Sequence, residues 1–196
     1  MKLSDYYSLV FNNVMKYRNY TGLEGDVDGV IATLQIQLAT SFDLYSQVKQ
    51  AHWNLKGPGF IGIHKMFDDL AEELEVFVDT IAERIASLGG YPMGYVSAAA
   101  VSSVLDNPVD DLVQDLDWTA FILDQYHTYS SLLYRDIASI GEVDPASEDL
   151  LIEIVRAIDK GIYFLAAHIE DDEDETYDIA SDPEEEFADD GTDSTL

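Results

Sequence analysis

Between Pro58 and Leu88 one stretch of the chain carries two stripes, and any fold that buries the first must present the second to something. Ile63, Phe67, Leu70, Leu74, Val78, Ile81, Ile85 and Leu88 recur at three- and four-residue steps, the period of one buried helix face. Opposite them His64, Asp68, Glu72, Glu75, Asp79 and Glu83 recur at the same steps. This polar stripe mirrors itself about a point between residues 73 and 74: His64 answers Glu83, Asp68 answers Asp79, and Glu72 answers Glu75. Within one chain these partners cannot meet, because His64 and Asp79 lie about 22 Å apart along a helix rising ~1.5 Å per residue. Two copies crossing antiparallel about a two-fold axis would bring each residue to its mate, since an isologous contact pairs i with j and j with i. Acids set against acids repel. Bound cations would reverse that sign, and imidazole with carboxylates is the ligand set of a transition metal such as iron or zinc. The spacing therefore predicts a metal site that exists only in a dimer. The same stripe would also serve as the solvated face of an amphipathic helix. What solvation does not explain is a histidine, one of four in the chain, at the mirror position of Glu83.

The flanking segments are helical as well. Asp26-Val27-Asp28-Gly29 supplies an aspartate cap, followed by apolar Ile31, Leu34, Leu38, Phe42, Tyr45 and Val48 at helical spacing. Lys56-Gly57-Pro58-Gly59 closes that helix and opens the next, and Leu88-Gly89-Gly90 ends the second. Residues 90–107 form a long connection, with a short helix expected over Ala98–Val104. Asn107-Pro108 is expected to open a third helix through Leu112, Leu116, Leu123, Leu133, Ile137 and Ile140, ended by Gly141. Asp144-Pro145 caps a fourth, with Leu151, Ile154, Val155, Ile158, Ile162, Leu165 and Ile169. Four long amphipathic helices, with a long connection between the second and third, describe an all-α, ferritin-like four-helix bundle with a short helix in that connection. The expected organisation is a partly helical segment over 1–27, the bundle over 28–170, and an acidic, disordered tail over 171–196.

Of 39 acids, 14 fall in residues 170–196, which hold no lysine or arginine, leaving 25 acids against 10 bases in the rest. Lys/Arg contacts to phosphate dominate DNA affinity, and neither terminus offers a basic arm, so the balance argues against direct DNA binding. There is no cysteine, which excludes thiolate ligands and thiol catalysis. The start shows no signal-peptide pattern and no run reaches membrane-span length, so a cytoplasmic protein is the expectation. His52 stands six residues before Pro58 and His64 six after. A hairpin turning at Pro58 would set the two imidazoles side by side. The candidate site is then His52, His64 and Asp68 from one chain with Asp79 and Glu83 from its mate. His52 continuing the buried stripe of Tyr45 and Val48 is the plainer alternative. Glu-x-x-His pairs of the kind that hold di-iron inside a single bundle do not occur; Asp124-x-x-His127 comes nearest, and His127 is expected to pack. His168 is expected to pack too, with an approach to the shared site as the alternative.

Gln50-Ala51-His52-Trp53-Asn54-Leu55-Lys56-Gly57, Phe60, His64, Phe67-Asp68, and Asp79-Thr80-Ile81-Ala82-Glu83-Arg84 through Leu88-Gly89-Gly90 together resemble the Dps family, the mini-ferritins. The resemblance is tight over about 45 residues and compatible from 28 to 170. It implies a hollow shell of twelve subunits, with ferroxidase sites at two-fold interfaces that bind Fe(II), oxidise it preferentially with hydrogen peroxide, and store ferric iron inside. It implies His52, His64 and Asp68 from one subunit and Asp79 and Glu83 from its partner, with Trp53 beside the site as a quencher of oxidising equivalents or as interface packing. By the same analogy Glu142, Asp144, Glu148 and Asp149 would line an acidic entry pore, though acids there are also capping chemistry. Glu72 and Glu75 would attract iron within the shell, with a solvated or interfacial role as the equal alternative. The missing lysine-rich arm and the acidic extension depart from the family pattern. Both count against the alternative of a non-enzymatic, DNA-compacting protein.

Overall fold

The computed structural model describes residues 21–109 and 112–169, so residues 1–20 of the amino-terminal segment expected to be partly helical, and the acidic tail, lie outside the described residues. Among the described residues five helices follow in order: α1 Val27–Asn54, α2 Phe60–Ser87, α3 Val96–Ser102, α4 Asp115–Ile140 and α5 Pro145–Ala166. Among the described residues there is no strand; one isolated parallel bridge joins Lys56 to Gln114. The architecture is the expected ferritin-like bundle. α1 and α2 form one antiparallel hairpin and α4 with α5 the other, while α3 lies across α1. No described helix is long and apolar enough to cross a membrane.

Local chemistry accounts for most boundaries. Asp26 caps α1 by accepting the Gly29 N–H at 3.0 Å. Asp144 caps α5 by accepting the Ser147 N–H at 3.3 Å, with Pro145 in the first turn. α2 ends where Gly89 takes φ +85°, a conformation open to glycine, letting the Gly89 and Gly90 N–H groups reach back to Ala86 and Ile85 at 2.9 Å. The α2 stripe is buried as its period demands: Ile63, Phe67, Leu70, Leu74, Ile81 and Ile85 enter the core, joined by Phe77, with Val78 at its edge. Each such burial is worth roughly 1.5–3 kcal/mol. Facing them are Leu34, Leu38, Leu44 and Val48 of α1, Ile122, Tyr126, Tyr129 and Leu133 of α4, and Leu151, Ile154, Ile158 and Leu165 of α5.

Two starts differ from the sequence expectation. α4 begins at Asp115 and not at Asn107. Residues just before it are extended, because the Lys56 N–H donates to Val113 O at 2.7 Å and the Asp115 N–H to Lys56 O at 2.9 Å. Leu112 still packs on the core, but from outside the helix, and its carbonyl accepts the Trp118 indole N–H at 3.0 Å. Leu116, expected on the apolar face, is half exposed. Pro58 precedes α2 and its Gly59 cap instead of opening the helix. The short helix runs over 96–102, two residues ahead of expectation, and seats Ala98 and Ala99 against α1.

Candidate metal centre

The α1–α2 hairpin delivers His52, in the last turn of α1, to His64, in the second turn of α2. The two rings stack with centroids 3.7 Å apart and planes inclined by 18°. Each ring is anchored to the other's backbone: His52 Nδ1 lies 2.9 Å from His64 O, and His64 Nδ1 lies 3.0 Å from His52 O. A carbonyl oxygen can only accept, so each Nδ1 carries a proton and donates it. In the neutral ring the lone pair is then on Nε2, the arrangement that a carbonyl behind the ring imposes on metal-binding histidines. Phe60, the first residue of α2, stacks on His64 at 5.0 Å. His52 is buried, and His64 half-buried.

Asp68 follows His64 by one turn and places Oδ1 3.8 Å from His52 Nε2. The same oxygen accepts a hydrogen bond from Lys49 Nζ at 2.7 Å. That bond, aided by the charge of nearby His52, Lys49 and His64, holds the Asp68 carboxyl below the ordinary carboxylate range against a smaller opposing effect of burial. A carboxylate oxygen beside two imidazole nitrogens can take a divalent cation.

The remaining candidates are placed elsewhere. Asp79 and Glu83 are exposed on the outer face of α2, and Asp79 lies about 16 Å beyond Asp68 at ~1.5 Å per residue. Glu72 and Glu75 are exposed between them. No three His, Asp or Glu side chains of the described residues converge as a ligand set within one chain. Trp53 stands beside His52 with 68% of its surface exposed. His168 is exposed, its Nδ1 donating to Phe164 O at 2.7 Å at the end of α5. His127 is exposed on α4, against the expectation that it packs.

The four pore candidates separate. Asp144 is 1% exposed and accepts Arg84 Nη2 through both oxygens at 2.7 Å, while also bonding Ser147. Burial pushes its carboxyl up, but the bonds from Arg84 and Ser147 outweigh burial and hold it below the ordinary value. It joins α2 to α5 and has no oxygen to spare for an ion. Glu148 folds back over Gly141, whereas Glu142 and Asp149 are exposed. Sequence reasoning also missed Lys49. Its signal was a base one turn before His52 in a chain with only 10.

A ferritin-like domain matches residues 31–174. The DNA protection during starvation protein of Agrobacterium fabrum is 34% identical over 143 residues, covering 72% of this chain and 88% of that protein. Among solved structures, Mycobacterium smegmatis Dps in its tetragonal form is similar at TM-score 0.71 and 33% identity, over 74% of this chain and 89% of that one. DpsA14 from Streptomyces coelicolor is similar at TM-score 0.75 and 30% identity, over 80% and 94% respectively. The histidine hairpin and the helix order both fall within the matched span, and the chain belongs to the Dps family of ferritin-like proteins.

Proposed function

We propose that this protein is a ferroxidase and iron store whose catalytic sites are shared between two subunits. The observation that carries the reading is the histidine pair. Two stacked imidazoles, each with Nδ1 tied to the other's carbonyl and Nε2 left for a ligand, stand beside the Asp68 carboxylate. That cluster offers one side of a site. Asp79 and Glu83 offer the other, at the mirror positions a two-fold axis requires. The outer face of α2 also exposes Ile61 and Val76 at 61% each. A shell of twelve such subunits would hold six two-fold contacts and keep the ferric product inside.

Iron is the substrate here. Two Fe(II) ions give one electron each to hydrogen peroxide, the O–O bond breaks, and two protons from solvent complete two waters. Ferric ion then hydrolyses to an oxyhydroxide, releasing three protons per iron. Holding both electron donors together avoids the one-electron step that frees hydroxyl radical. Carboxylates favour the hard ferric product, and neutral imidazoles accept the softer Fe(II). Any protection of DNA would then be chemical, through removal of Fe(II) and peroxide in the cytoplasm, since a net charge of −29 opposes a polyanion. The test is His52→Ala with His64→Ala. Peroxide-dependent ferric absorbance should vanish while size-exclusion still returns the assembled shell; undiminished oxidation would remove the site.

A further inference from the structure

The turn that sets the two histidines against each other has no side-chain cap of its own. α2 begins after Gly59, which lacks a side chain; within the turn the Phe60 N–H reaches Gly57 O at 3.2 Å, but the Gly59 N–H needs a partner from elsewhere. It comes from Asp115, the first residue of α4 and 56 positions along the chain. Asp115 is 4% exposed; its Oδ2 accepts the Gly59 N–H at 2.7 Å and its Oδ1 accepts the Leu116 N–H at 3.0 Å. One carboxylate thus accepts an N–H group at the start of each of two helices. Its backbone holds the same turn, donating to Lys56 O, while Lys56 donates to Val113 O. The approach is close enough to dictate sequence. A Cβ on Gly57 would overlap the Asp115 carboxylate, and one on Gly59 would stand 3.1 Å from Oδ2. Gly57 and Gly59, which look like ordinary helix punctuation, are the clearance for this side chain.

His64 meets His52 only if α2 leaves the turn in one rotational setting. A slip of one residue would swing His64 by about 100° around the helix axis, breaking both the 3.7 Å stack and the paired Nδ1–H bonds. We infer that Asp115 is a positioning residue of the metal centre: it touches neither histidine, and it sets the register in which they face each other. What the histidines bind rests on the ferroxidase reading; their placement by Asp115 does not.

The experiment uses full-length protein, Co(II) as a spectroscopic probe, and three variants. Asp115→Ala should assemble yet bind Co(II) roughly 10- to 100-fold more weakly, the usual effect of losing support behind a metal ligand. Asp115→Asn, which keeps one acceptor oxygen, should lose less, and it stands in if the alanine variant does not fold. Leu133→Ala, in the buried middle of α4, should be destabilised and keep native Co(II) affinity. Native affinity in Asp115→Ala, or an equal loss in Leu133→Ala, would overturn the inference. If the unmodified protein takes no Co(II), the ferroxidase reading fails. The inference is then judged by a crystal structure of the Asp115 variant: a parted histidine stack supports it and an unchanged stack overturns it.

Discussion

Replacing Arg84 by methionine keeps the length of the side chain and removes the guanidinium. In the native protein that group lies 2.7 Å from both oxygens of Asp144 and donates through Nε to Ser147 at 2.9 Å. Asp144, 1% exposed, would be left with Ser147 alone. Breaking a buried pair by removing one partner costs ~3–5 kcal/mol. Arg84 is 19% exposed, so water already shares its charge, and the lower end of about 3 kcal/mol is expected. At roughly 2–4 °C per kcal/mol for a chain of this size, the melting temperature should fall by roughly 6–12 °C at pH 7. The pH dependence separates the ion pair from lost packing. Arg84 and Ser147 hold the folded Asp144 carboxyl below its ordinary value in spite of burial. Its contribution is therefore complete above the unfolded value of ~3.9 and is lost as pH falls through the lower folded one. In the variant burial goes largely unopposed and the folded pKa rises above the unfolded one, so acid relieves the variant while it weakens the native protein. Scanning calorimetry of both assembled proteins at matched pH should show the gap narrowing from pH 7 to about pH 4. A gap that stays constant over that range, or is absent at pH 7, would refute the reasoning. Adding Asp144→Leu to the variant should recover part of the loss, because no stranded charge remains.

Lys49→Met removes the cation held 2.7 Å from Asp68 Oδ1. Fe(II) should bind several-fold more tightly at neutral pH by titration calorimetry, since a positive neighbour no longer opposes it. Weaker or unchanged binding would count against the geometry drawn for the site. Deleting residues 171–196 removes 13 acids and should leave the rate of iron oxidation by peroxide unchanged in stopped-flow absorbance. A large loss would give the tail a part in the chemistry.

Much of the fold was legible because its causes are local. The 3.6-residue stripe of α2, the Asp26 and Asp144 caps and the glycine stop at Gly89 each depend on residues within a few positions of one another, and short-range patterns survive in a linear string. The placement of His52 beside His64 was legible for a related reason: equal spacing about a turn carries into space when both flanks are helices. The start of α4 was not legible, since Asn107-Pro108 is a sound opening signal by itself and loses only to backbone bonds with Lys56, more than fifty residues earlier.

The chemistry divides along the same line. Residue types and their mirror spacing, fixed in the chain, are what the proposed site of imidazole and carboxylate, completed by a second copy, rests on. Tertiary structure decided what each oxygen is free to do. Asp144 belongs to Arg84, sixty residues away, and Asp68 shares its oxygen with Lys49. Asp115, unremarkable in the string, caps the turn on which the histidine pair depends. A carboxylate's role is set by which donor comes within about 3 Å of it, and that distance is a property of packed helices, settled only when segments remote in sequence are brought against each other.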